Sequence, residues 1–184
     1  MRDSQMTRKA KHLIVLGMIG VATQTTLGGK MSIPEQQKAD MAAFGRASAG
    51  EWRETFADAF TDDWTKQWFL DGEIGTVTNG PDGMTMTAGP EFKNDAHHMV
   101  LWTKETFKGD LKIDWDFTRL DRDGRGVFIL YIQATGSGRP PYAKDITEWN
   151  ELRKVPAMKM YHTYMNSYHI SYATSAEYIR ARRY

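Results

Sequence analysis

His97-His-Met-Val-Leu-Trp-Thr103, Leu111-Lys-Ile-Asp-Trp-Asp-Phe-Thr118 and Val127-Phe-Ile-Leu-Tyr-Ile-Gln-Ala134 follow one another along the chain. Each alternates in the way that sends one residue set to a core and the other to an open face, so the reading is three strands in a row. In the middle run Leu111, Ile113, Trp115 and Phe117 share a face, and Lys112, Asp114 and Asp116 share the other. In the last run Phe128, Leu130 and Ile132 oppose Val127, Ile129, Tyr131 and Gln133. In the first, Met99 and Leu101 oppose His98, Val100 and Trp102. Taking the apolar sets as core leaves His98, Trp102, Asp114, Asp116, Tyr131 and Gln133 outward. That face is polar and aromatic, with few of the long charges of an ordinary solvated face. It reads as a ligand-binding concave sheet whose assignment depends on register, since a slip of one residue exchanges the faces.

Working outward, the segments on either side read as elements beside this sheet or looped over it. Toward the N-terminus, Arg53–Phe60 is expected to be a strand, and Leu70-Asp71-Gly72 a turn. Glu73–Thr78 and Met84–Ala88 flank Asn79-Gly80-Pro81-Asp82-Gly83, a dense hairpin signal. Trp52, Trp64 and Trp68 read as core or core-edge aromatics. Leu120–Gly126 sets Asp121 and Asp123 before Gly124 but lacks the further ligands of a calcium loop, so it reads as a tight turn. Gly136, Gly138, Pro140 and Pro141 make Thr135–Lys144 a loop. Asp145–Leu152 is predicted helical, with Asp145 and Glu148 as a capping-box start and Ile146, Trp149 and Leu152 on one side. All eight tyrosines follow residue 130. Within Tyr161–Tyr172, read as a strand, Tyr168, Ile170 and Tyr172 oppose Ser167, His169 and Ser171, so His169 joins His98 and Tyr131 on the ligand face.

The first fifty residues stand apart. Arg2, Arg8, Lys9 and Lys11 precede the short apolar run Leu13–Ala22, followed by Thr23, Gln24, Thr25 and Thr26. This is the pattern of a secretory signal peptide, too short for a membrane span. Residues 1–22 are therefore expected to be removed on export to the periplasm or beyond, and 23–50 to form a flexible tether, with room for a short helix over Glu35–Phe44. The domain proper is expected over 51–184. The net charge of +1 for the whole chain gives no case for nucleic-acid binding. With no cysteine there is no disulfide framework and no thiolate nucleophile or ligand. Hydrophobic residues at 41% and charged ones at 26% are those of a folded domain.

Phe56-Ala-Asp-Ala-Phe60 with Trp64, Gly83-Met-Thr-Met86, and the continuous run Ala96 to Phe117 resemble the YesU-like family of bacterial proteins. Tyr168-His-Ile-Ser-Tyr172 fits the family's next strand. The resemblance covers Trp52 to Arg183. It implies an all-β, concanavalin A-like jelly-roll sandwich of two antiparallel sheets, with a short helix near 145–153 and saccharide chains across the concave sheet. It carries no established catalytic residues. Such jelly rolls continue with more strands, so the ending Arg180-Ala-Arg-Arg-Tyr184 implies that the last strands are missing.

Three chemistries fit these residues. A polysaccharide lyase needs a group to neutralise a uronate carboxylate, for which Gln133 or a histidine serves, and a base and an acid, for which Tyr131 and His98 or His169 serve. A glycoside hydrolase needs two carboxylates across the glycosidic bond. Asp114 and Asp116 lie on one strand face, about 6.5–7 Å apart, but without the Glu-x-Asp-x-Glu pattern of hydrolases with this fold. A binding module needs only Trp102 and tyrosines to stack on sugar rings, with Asp114, Asp116 and Gln133 bonding hydroxyls. The lyase stands slightly ahead. No cofactor is expected and no metal, because His97 and His98 point to opposite faces and cannot chelate together. The expected partner is a polysaccharide or oligosaccharide, with no nucleic acid and no membrane after cleavage.

Overall fold

A computed structural model describes residues 34–120, 126–173 and 179–184. The expected signal peptide, the start of the tether and most of the Leu120–Gly126 turn lie outside these. The rest of the tether region holds helix α1, Glu35–Ser48, which outlasts the reading to Phe44 and buries none of its residues. Glu35 in its first turn and Arg46 in its last complement the helix dipole.

Seven strands form among the described residues: β1 (Trp68–Asp71), β2 (Thr76–Gly80), β3 (Gly83–Thr87), β4 (Val100–Thr103), β5 (Val127–Gly136), β6 (Met165–Ala173) and β7 (Ile179–Arg183). All pairings are antiparallel: β1 with β4, β2 with β3, and β5–β6–β7 as a three-stranded sheet. The architecture is mostly β with a few helices. The β2–β3 hairpin turns where the sequence places it, with Gly83 at φ +123°. Asn79 fixes it to the preceding segment by donating to the Phe60 carbonyl (2.7 Å) and accepting from the Trp64 amide (3.0 Å).

Two expected strands are not strands. Arg53–Phe60 is irregular because Asp58 satisfies its local groups: one carboxylate oxygen accepts from the Phe60 amide (2.7 Å), the other from Trp68 Nε1 (2.7 Å). Such short-range bonds by aspartate compete with a ladder. Phe56 and Phe60 pack edge-on or tilted against Trp68 instead. Leu111–Thr118 also stays outside the seven strands. Its alternation is real, but alternation specifies a face and not a backbone partner. Phe117 lies against Phe128 and Tyr172, at ring separations of 4.9 and 6.2 Å. The first expected strand is shortened too, since Asp95–His97 forms a 3-10 turn and the ladder begins at Val100.

The core corrects the choice of face. Trp102, Trp149, Tyr161 and Met165 form its centre, with Phe69, Val100, Tyr131 and Tyr142 packed around them. On β6 the buried set is Ser167, His169 and Ser171, at 5%, 4% and 3% exposure, whereas Tyr168 is 46% exposed. The polar-aromatic face is therefore the one covered. Its cover comes from Ile146–Arg153, a 3-10 helix broken at Trp149, and from α2 (Met158–Thr163), which brings Tyr161. Asp145 caps the first of these through the Thr147 amide (2.8 Å), as expected, but Leu152 is exposed. Its place on the inner side is taken by Arg153.

Candidate functional site

Two polar groupings lie within the aromatic core, and they differ in how completely they are satisfied. The first centres on Asp71, the last residue of β1, fully buried beside a fully buried Arg153. Asp71 Oδ2 accepts from Arg153 Nε (2.6 Å), Trp102 Nε1 (2.7 Å) and the Tyr161 hydroxyl (3.0 Å), and Oδ1 accepts from Asn150 Nδ2 (2.6 Å). Arg153 spends its other donors on the carbonyls of Trp149 (3.2 Å) and Ile146 (3.0 Å) and lies 4.3 Å over the Trp149 ring. A buried ion pair with its donors and acceptors matched is a structural joint. It ties β1 and β4 to the 3-10 helix and α2.

The second grouping is unsatisfied. The β5–β6 register sets Tyr131 opposite His169, and their rings are 5.1 Å apart. The Tyr131 hydroxyl, Ser167 Oγ and both ring nitrogens of His169 are buried without a hydrogen-bond partner among the described residues. Orphan groups of this kind are rare in folded proteins, and each costs about 1–3 kcal/mol. Tyr131 is sandwiched against Tyr161 (5.3 Å) and Trp102 (5.5 Å). Tyr184 covers the other side, with its ring 5.3 Å from His169 and 5.9 Å from His162. Backbone bonds in both directions between Ser167 and Tyr184 (3.2 and 3.0 Å) hold Tyr184 there. On β7, Arg182 is opposite His169 and Arg180 opposite Ser171. Beside the grouping is a cavity of about 250 Å³ that reaches Ser167, Gln133 and Tyr184.

Protonation follows from these surroundings. Burial, then the nearness of Tyr184 and Asp71, pushes the Tyr131 phenol far above its ordinary value, so it holds its proton. Burial, then Arg182 and His162, pushes His169 below its ordinary value, so the ring is neutral at pH 7. A proton donor and a proton acceptor thus face one another across a β ladder.

Of the residues expected at a site, the structure brings together Tyr131 and His169. His98 is elsewhere, its Nδ1 lying 3.3 Å from the Pro156 carbonyl and 3.5 Å from the Asp95 carboxylate. Trp102 is 7% exposed, with its indole N–H bonded to Asp71 and its ring against Tyr131, so it packs in the core. Asp114 is half-buried beside Lys112 (3.3 Å) and Asp116 is exposed, both on the segment outside the seven strands. Gln133 falls at a bulge between Ile132 and Thr135, with φ +54°, and donates to the Gly109 carbonyl (2.7 Å). The bulge interrupts the alternation that set Gln133 beside Tyr131. Among the described residues no group of three or more His, Asp or Glu side chains is placed to hold a metal ion.

Sequence reasoning missed Asp71, Arg153 and Arg182. Asp71 reads as a turn residue, although an aspartate closing the apolar run Trp68-Phe-Leu is a signal of a buried acid. Arg182 belongs to Arg180-x-Arg182-x-Tyr184, a period-two pattern legible as one face of a strand.

No curated protein and no solved structure matches the chain. A family model matches residues 55–183, which takes in both groupings and all seven strands. That agrees with the family resemblance carried by Phe56–Phe60, Gly83–Met86 and Ala96–Phe117. The model is that of DUF1961, a domain of unknown function, and the chain belongs to this family.

Proposed function

We propose that this is an exported carbohydrate-active protein that binds a polysaccharide chain at the Tyr131–His169 face and cleaves an acidic glycan by β-elimination. The observation that carries the reading is the set of four buried polar atoms on Tyr131, Ser167 and His169 without a hydrogen-bond partner among the described residues. They lower stability with no structural return, which is what a site kept for a ligand does. A saccharide hydroxyl or ring oxygen supplies the missing partners once it displaces the Tyr184 ring.

The protonation states suit elimination. Neutral His169 takes the proton from C5 of a uronate. The electron pair forms the C4–C5 double bond as the C4–O bond breaks, and the protonated Tyr131 gives its hydrogen to the leaving oxygen. In this reading the three-stranded sheet belongs to a concanavalin A-like jelly roll, and residues 1–22 direct export to the periplasm or medium. The hydrolase reading is weakened, since Asp114 is engaged with Lys112. The test is incubation with a panel of uronic-acid polysaccharides. A rise in ultraviolet absorbance from unsaturated product supports the lyase. New reducing ends without that rise favour hydrolysis, and retention without product favours a binding module.

A further inference from the structure

Sequence reasoning assigns the neutralisation of a uronate carboxylate to Gln133 or a histidine, and the geometry favours neither. The Gln133 amide nitrogen is committed to Gly109, and His169 is held uncharged. The register offers another group. Arg182 is the ladder partner of His169, on the edge strand of the sheet. Its Nη1 is 3.4 Å from Ser171 Oγ, which places the guanidinium on the same face as the orphan cluster. A neutral hydroxyl at that distance is a weak acceptor for a charged fork. Among the described residues no carboxylate pairs with Arg182. Asp71, bonded to Tyr161 behind the cluster, is already neutralised by Arg153. The ladder thus sets one guanidinium, that of Arg182, across from His169.

We propose that Arg182 binds the carboxylate of the sugar occupying the Tyr131–His169 site, so that the protein takes a polyuronate and not an uncharged glycan. This rests on the reading of that site as a saccharide site. A guanidinium presents two parallel N–H donors that match a carboxylate, and the pairing withdraws charge from the uronate as its C5 proton leaves. Its place beside Ser171 and opposite His169 sets the carboxylate next to the base.

The test is affinity electrophoresis of the full chain in native gels containing polygalacturonate, a sulfated galactan or an uncharged galactan. Wild type is expected to be retarded by polygalacturonate far more than by either galactan. Arg182→Gln is expected to weaken that retardation about tenfold or more, as loss of a charge-assisted bond implies, and Arg182→Lys to lie between. Arg46→Gln removes the same charge from α1, which buries nothing, and is expected to match wild type. Equal losses in Arg182→Gln and Arg46→Gln would reduce the effect to net charge and overturn the proposal. Retardation by the uncharged galactan equal to that by polygalacturonate would also overturn it while leaving a saccharide site intact. Stronger retardation by the sulfated galactan would overturn the assignment to a carboxylate. Retardation by none of the three would overturn the saccharide reading itself.

Discussion

Replacing Asp71 by asparagine changes one atom at the most heavily bonded side chain of the core. The carboxylate accepts from four donors, on Arg153, Trp102, Tyr161 and Asn150, and all its acceptor capacity is used inside the protein. The amide that replaces it would keep one acceptor oxygen and turn an N–H₂ toward groups that are themselves donors. It would also leave the Arg153 guanidinium fully buried with no counter-charge. Arginine cannot escape by losing its proton. Breaking a buried ion pair from one side costs about 3–5 kcal/mol, against a total of about 5–15 kcal/mol for a domain. At about 2–4 °C per kcal/mol for a chain of this size, the melting temperature should fall by roughly 6–20 °C. Circular dichroism melts and urea midpoints at neutral pH measure it. Arg153→Met should cost less, since the carboxylate it leaves keeps three donors, on Trp102, Asn150 and Tyr161. The double variant should cost less than the two losses added, by about 0.5–3 kcal/mol. A fall of less than about 2 °C in Asp71→Asn, or a larger fall in Arg153→Met, would refute the picture of a matched structural pair.

The orphan cluster makes the opposite prediction. Tyr131→Phe removes a buried hydroxyl with no partner among the described residues, so stability should hold or rise by up to about 1–3 kcal/mol while glycan cleavage is lost; a destabilised variant would mean the hydroxyl is bonded. The lowered folded value of His169 means that its stabilising contribution is complete above its ordinary pKa of 6.5 and is lost as the pH falls through the folded value. Urea midpoints below that ordinary value should therefore decline more steeply in wild type than in His169→Gln, and parallel slopes would sink the claim. At Gly136 an added Cβ would collide with the Ala143 carbonyl oxygen, a backbone atom that cannot rotate aside. Gly136→Ala should lose about 1–3 kcal/mol or more, detected as a lower melting temperature; an unchanged one would show that the loop at 142–144 shifts freely.

How far the chain declares itself depends on the kind of information each feature needs. The β2–β3 hairpin is legible because Asn79-Gly80-Pro81-Asp82-Gly83 permits little else, and Asp145 shows as a cap for the same local reason. The sidedness of β6 is also legible, since Ser167, His169 and Ser171 do share a face. Which face is buried is not. Period-two alternation divides a strand into two sets, and the usual rule buries the apolar one. Here α2 and the Ile146–Arg153 helix bring tyrosine and tryptophan onto the polar set, and no local pattern announces that packing. The Asp71–Arg153 pair joins residues far apart in sequence, so neither partner predicts the other. Leu111–Thr118 has the pattern of a strand but, among the described residues, shows only an isolated bridge at Asp114, because pairing depends on the rest of the chain. Gln133 loses the alternation that paired it with Tyr131 because a bulge resets the period two residues on, although it still lines the cavity beside Ser167.

The most direct test of the central claim is the ultraviolet absorbance of unsaturated uronyl product during incubation of the full chain with polygalacturonate and other uronic-acid polysaccharides. The account predicts a steady rise with the wild-type protein. The rise should be abolished in Tyr131→Phe and His169→Ala while both variants remain folded. A folded wild-type protein that forms no unsaturated product from any of these glycans, or a Tyr131→Phe variant that forms it at the wild-type rate, would contradict it.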